Sequence, residues 1–224
     1  MISTTMATAL NEQIKWEMYS ANLYLAMSAY LQDAGLTGFA HWMRVQYQEE
    51  TAHALKFYDF LLARGGQFTM LSIDAPAASW SNILEMFEET LSHEQEVTRR
   101  INDLVRLSKE EKDFATDIFL HWFVSEQVEE EETVKDIISK LRMIKGEGQG
   151  MLLMDKELAA RTFTPPPRQL TYSGAFPAIL RHVFPMKTLF RRMAGRTVRL
   201  SGAHEHQDKV GCKGGCPKNK RSIR

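Results

Sequence analysis

Four stretches of this chain repeat apolar residues in steps of three and four, and each sets a carboxylate on the same apolar line. The first line runs Leu10, Ile14, Met18, Ala21, Leu25, Ser28. It carries Glu17 and, seven residues on and so on the same face, Tyr24. The second runs Phe39, Met43, Gln46, Glu50, His53, Phe57, Phe60, with Glu50 and His53 at i and i+3. The third runs Ile83, Phe87, Leu91, Glu94, Val97, Ile101, Leu104. The fourth runs Leu120, Val124, Gln127, Glu130, Val134, Ile137, Leu141, again with a polar pair at i and i+3. A carboxylate on a buried stripe loses its hydration and needs a compensating partner. A single one is explained by snorkelling or by pairing with a core arginine. Four helices doing this at facing positions, with no Lys or Arg on any stripe, point to two divalent cations between them. Carboxylate oxygens with one imidazole suit iron or manganese better than a thiolate-preferring metal, and Glu50 is placed to bridge two ions.

The breaks between stripes set the topology. Asp33-Ala34-Gly35 ends the first helix, Thr37 stands as cap for the second, and Gly65-Gly66 closes it. Ser81 or Asn82 can cap the third. Ser108 with Glu111 forms a capping-box pattern for the fourth, which runs to Gly146. A short fifth helix is expected around 152–160, after Gly146, Gly148 and Gly150. Helices one and two, like three and four, have short links and are antiparallel neighbours. The link from Gln67 to Trp80 is about 14 residues and spans roughly 46 Å when extended. It can therefore run along a helix of roughly 40 Å and make helix three parallel to helix two. The fold class is all-α: a four-helix bundle with one long crossover, a short fifth helix and a C-terminal tail.

Charge divides the chain. Residues 1–161 hold 15 Lys+Arg and 26 Asp+Glu, whereas residues 162–224 hold 13 and 2, so a net charge of zero covers an acidic body and a basic tail. We expect a domain over 1–161 and a Pro-initiated extension over 162–224, opened by Pro165-Pro166-Pro167. Only Cys212 and Cys216 are present, which excludes a disulfide framework and fits a reducing cytoplasm. No apolar run is long enough to span a membrane, and the first residues do not read as a secretory leader.

The segments NEQIKWEMYSANLYLAMSAY, QYQEETAHALKFYDFL, HEQEV and FLHWFVSEQVEEEETVKDII resemble bacterial non-haem ferritins, and the likeness covers about residues 5–160. The resemblance implies a homo-oligomeric shell of 24 subunits, ferroxidase activity on Fe(II) with O2 or H2O2, and storage of ferric mineral. It maps Glu17, Glu50 and His53 onto one iron and Glu50, Glu94 and Glu130 onto the other, with Gln127 beside the second. It also implies a third, transient iron site from Glu49, Glu126, Glu129 and Glu130, while Glu131 and Glu132 stay unassigned. Tyr24 either hydrogen-bonds a ligand carboxylate or donates an electron, or is simply a core tyrosine; Trp122 handles electrons or packs. Haem-binding bacterioferritins are similar but carry a second Glu-x-x-His on helix four, where this chain has Gln127-Val128-Glu129-Glu130. They also place a methionine just after the second-helix Glu, where this chain has Thr51-Ala52. No haem is expected.

The likeness says nothing of the tail. Residues 176–200 mix apolar groups with Arg181, Lys187, Arg191, Arg192, Arg196 and Arg199. A nucleic acid, an anionic membrane surface or the acidic body are its alternative partners, beside a tail with no fixed partner. His204, His206, Cys212 and Cys216 have the ligand types of a small metal site in a loose spacing. A di-iron oxidase or peroxide-consuming protein that stores no mineral is the rival reading of the body.

Overall fold

The structure is a computed structural model that describes residues 1–145 and 148–166. The rest of the basic extension, with its His and Cys residues, lies outside the described residues. Helices α1 (Thr4–Asp33), α2 (Thr37–Ala63), α3 (Ile83–Glu110), α4 (Phe114–Ile144) and α5 (Gly148–Leu158) follow in order, and no strand occurs among the described residues. None of these helices is long and apolar enough to cross a membrane.

Named contacts fix the directions. Ser3 Oγ, capping α1, donates to Glu111 at the far end of α3, and Tyr30 near the end of α1 donates to the carbonyl of Trp80 just before α3. So α1 and α3 are antiparallel. The short turn at Gly35 makes α1 and α2 antiparallel as well, which leaves α2 parallel to α3. At the opposite corner Arg64, just past α2, pairs with Asp113 at the head of α4 at 2.9 Å. The crossover is tied down along α1: Asn11 accepts from Thr69 N–H and donates to Gln67 O. The expected single long crossover is present.

Helix ends show how the backbone closes each element. Gly35 (φ +79°) and Gly65 (φ +74°) lie in the left-handed region just past α1 and α2. In both cases the following N–H reaches back five residues, Leu36 to Leu31 O and Gly66 to Leu61 O. The end of α3 repeats this geometry with Lys112 at φ +56°, and Asp113 N–H bonds Ser108 O. Here the structure differs from the sequence reading. Ser108 lies inside α3, Glu111 is that helix's C-cap, and α4 is capped instead by Asp113, which accepts from Thr116 N–H. The same Ser-x-x-Glu spelling serves a helix end because Lys112 turns left-handed before a new helix can start. Asn82, not Ser81, caps α3 through Glu85 N–H.

Thr37 does not cap α2, whose first turn has no local side-chain cap. Its free N–H groups at Gly38 and Phe39 both donate to Asp155 Oδ1 from α5, at 2.8 and 3.0 Å. A carboxylate at a helix N-terminus also meets the positive end of the helix dipole. Gly38 is required there, because a Cβ would stand 1.7 Å from Asp155 O. Helix α5 starts earlier than expected, at Gly148, and takes Gly150 into its first turn against Ile144.

The core is not continuous. One apolar cluster gathers Tyr24, Met27, Phe39, Trp42, Phe87 and Leu141 with α5 residues Met151 and Met154. The other gathers Met6, Leu10, Phe57, Ile101, Phe119 and Phe123. Between the two lies a buried polar layer: Glu17, Gln46, Glu50, His53, Glu94, Gln127 and Glu130. Met18 and Leu25, read on the first stripe, drift off it, and Leu25 is 38% exposed. At 100° per residue Met18 and Leu25 stand about 80° and about 60° round the helix from Leu10, whereas Ser28, five full turns on, returns to its line and is buried.

Candidate metal centre

Each of the four long helices contributes to the buried layer because its apolar periodicity turns that face inward. Glu17 from α1 with Glu50 and His53 from α2 bring one ligand atom each to within 4.8 Å of one another. The Gln13 amide donates to Glu17 Oε1 at 2.8 Å. Glu17 Oε2 and Glu50 Oε2 are sealed from solvent and have no hydrogen-bond partner, and Glu50 Oε2 lies 3.6 Å from His53 Nδ1. A buried carboxylate oxygen without a donor is costly. Two of them beside an imidazole make an oxygen-rich cradle with one nitrogen, a donor set that fits a divalent cation of the iron or manganese kind.

The opposite side of the layer comes from α3 and α4. Glu94 accepts from the Tyr24 hydroxyl on one oxygen and from Gln127 Nε2 at 3.1 Å on the other. Glu130 Oε2 accepts from Gln46 Nε2 at 3.0 Å. Burial pushes the Glu17 carboxyl up to about 8, and the Glu50 carboxylate beside it adds to the shift. Glu94 is pushed up to about 8 by burial and then by Glu130. Glu50 is raised well above the usual carboxylate range by burial, with Glu94 and Glu130 repelling its charge. Glu50 thus feels the carboxylates on the far side of the layer as well as its own neighbours. No Lys or Arg is among the buried residues described, so protons or metal cations must balance these charges.

A cleft of 370 Å³ opens from this layer past His53 to Glu49, Glu126, Glu129 and Glu130. Glu49 is pushed up to about 7 by burial, opposed by Arg161, which reaches it at 2.5 Å. Burial also raises Glu126. Glu129 is exposed and Glu130 buried, so the cleft grades from solvent to core. Trp122 lies against it, 5.4 Å from the His53 ring. Glu131 turns away to Thr98 and Lys135. All nine residues read as ligands therefore fall in one buried layer and its adjoining cleft.

Three residues of this region escaped the sequence reading as site groups. Gln13 and Gln46 each stand four residues before a site glutamate, on the same helix face, which is the signal that could have found them. Arg161 gave no such signal; only the return of the chain after α5 brings it to Glu49.

An all-α bundle with one crossover, whose four helices all send carboxylates into a buried layer, defines the class of helical-bundle carboxylate metal proteins. Residues 7–144 match the family described as Ferritin-like domain. Bacterial non-heme ferritin of Bacteroides fragilis (strain 638R) is 43% identical over 161 residues, 72% of this chain and 100% of that protein. The protein of the same name from Staphylococcus haemolyticus (strain JCSC1435) is 42% identical over 163 residues, 73% of this chain and 98% of that protein. The solved open pore ferritin of Archaeoglobus fulgidus superposes with a TM-score of 0.71 at 48% identity, covering 72% of this chain and 100% of that one. This chain belongs to the ferritin family.

Proposed function

We propose that this protein stores iron, binding and oxidising Fe(II) at an intrasubunit di-iron centre and holding the ferric product inside an oligomeric shell. The observation that carries the reading is the pair of unpartnered buried oxygens on Glu17 and Glu50 beside His53. Fe(II) is the substrate. Glu17, Glu50 and His53 hold one ion, Glu50, Glu94 and Glu130 the other, and Gln127 orients Glu94. Two Fe(II) give up two electrons together, which matches the two-electron reduction of O2 to H2O2 or of H2O2 to water. The apolar clusters on both sides keep bulk water from the layer. Burial raises the carboxyls of Glu17, Glu50 and Glu94, so these three take up protons when the metal leaves.

The accessory cleft of Glu49, Glu126, Glu129 and Glu130 serves as a third site, through which iron passes between solvent and the centre. Exposed apolar side chains support assembly into a shell, of 24 subunits in this reading: Phe114 (72% exposed) and Ile118 on α4, Leu152 and Leu153 on α5. We divide the chain into this body, residues 1–161, and the basic extension, residues 162–224. The cytoplasm, where Fe(II) persists, is the proposed location.

Aerobic loading of the metal-free protein with a few hundred Fe(II) per subunit, followed by size separation with iron detection, tests the function. Iron co-eluting with a very large particle is the expected result. A small oligomer retaining two or three irons per subunit would make the chain a non-storing di-iron oxidase. The double variant Glu50→Ala with Glu94→Ala tests the centre; rapid Fe(II) oxidation that survives it would refute the ligand assignment.

A further inference from the structure

Arg161 follows α5 and returns to the face of α2. Its Nη2 donates to Glu49 Oε2 at 2.5 Å. Its guanidinium stands over the Trp42 ring, 4.4 Å from the centroid, and its carbonyl lies 2.8 Å from His41 Nε2. Contacts more than a hundred residues away in sequence therefore place one side chain on one carboxylate. Its Nη1 is sealed from solvent without an acceptor, so the guanidinium is held mainly through Glu49 and the ring. The strap that follows, Thr164 to Pro166, lines the same cleft as Glu126 and Glu129. On the other flank the Lys56 ammonium lies 4.3 Å over the Trp122 ring and attracts Glu126.

We propose that Arg161 is a built-in counter-cation of the accessory carboxylate cleft, which an incoming divalent cation must displace from Glu49. The proposal rests on reading Glu49, Glu126 and Glu129 as metal-binding. A divalent cation that takes Glu49 through both oxygens must displace the guanidinium from Oε2, and the two positive charges repel across the one carboxylate. Inside a half-buried cleft solvent screens their repulsion weakly. Binding iron there means releasing Arg161 from its carboxylate, and iron departure lets it return. Arg161 thus weakens the accessory site relative to the two buried sites. A weak site at the mouth releases its cation readily, which favours passage over retention. An empty cleft is meanwhile neutralised at Glu49. Arg161 is a positioning residue in this scheme and touches no reacting atom.

Anaerobic calorimetric titration of the full-length metal-free protein with Fe(II) tests this, comparing the parent with Arg161→Gln, Arg161→Lys and Glu126→Ala. Arg161→Gln should tighten the weakest class of sites about tenfold, the scale of one partly buried ion pair. The two tight sites serve as internal controls and should stay within about twofold. Arg161→Lys, with a charge but no fork, should fall between, at about threefold. Adding Glu49→Gln to Arg161→Gln should erase the gain. If Glu126→Ala abolishes the weak class but Arg161→Gln leaves it unchanged or weaker, the accessory site stands and the counter-cation role fails. If no weak class exists in the parent or in Arg161→Gln, both readings fail. Should Arg161→Gln not assemble, by size exclusion, the threefold shift in Arg161→Lys decides alone.

Discussion

The Tyr24 hydroxyl donates to Glu94 and joins α1 to α3 at the centre of a layer in which neither residue meets solvent. Glu94 receives its second hydrogen bond from Gln127, so the carboxylate is clamped between α1 and α4. Such a clamp fixes which oxygen faces the metal. Replacing Tyr24 by Phe removes one of the two donors and keeps the ring. Stopped-flow absorbance should show Fe(II) oxidation slowed about tenfold, the scale of one hydrogen bond to a charged group. Anaerobic Fe(II) binding should change far less. An unaltered rate would reduce Tyr24 to a packing residue.

The carboxylate layer makes metal-free stability depend on pH. Glu17 and Glu94 sit near 8 in the folded chain against 4.5 for a free side chain. Between those values the folded state binds more protons than the unfolded state. Stability is therefore greatest near the acid end of this window, is lost as pH rises towards 8, and changes little from these groups above it. Denaturant unfolding of metal-free protein at steps across the window measures this. A Glu17→Gln, Glu94→Gln double variant should flatten the slope. Equal slopes in the two proteins would mean that the layer is not protonated as argued.

Asp155 is the cap that α2 lacks in its own sequence. Asp155→Ala should leave Gly38 and Phe39 N–H groups without an acceptor and loosen α5 from the bundle. The expected cost is about 1–2 kcal/mol, the usual range for a lost N-cap. Hydrogen exchange should quicken in the first turn of α2 and along α5, with α3 unchanged. Uniform quickening throughout the bundle would contradict a local role.

Lys112 is a non-glycine residue at φ +56° where α1 and α2 both end on glycine. It is exposed and forms part of the backbone hook to Ser108 and Lys109. Lys112→Gly should relieve left-handed strain and raise stability by about 1 kcal/mol, less whatever glycine's greater freedom costs in the unfolded chain. Thermal unfolding reads the shift directly. A lower melting temperature would show that unfolded-chain entropy outweighs the strain.

Much of this was legible because it is local. Periodicity named the four helices and their inward faces. Glu17, Glu50, His53, Glu94, Gln127 and Glu130 all lie on stripes whose spacing is set within single helices. Gln67–Trp80 could be measured against helix length, which gave the crossover. The capping of α4 was misread because Ser108-x-x-Glu111 has the right letters in either direction. The left-handed turn at Lys112 decided the matter, and no side chain there announces it.

The sequence by itself determined the elements and the inward carboxylates, since helical phase is a property of near neighbours. Tertiary structure alone decided which oxygens are satisfied. Gln46 turns to Glu130 across the bundle and not to Glu50 one turn away, Asp155 caps a helix more than a hundred residues earlier, and Arg161 comes to rest on Glu49. Those pairings depend on where distant segments meet, and the chain path sets that only after the apolar faces have packed.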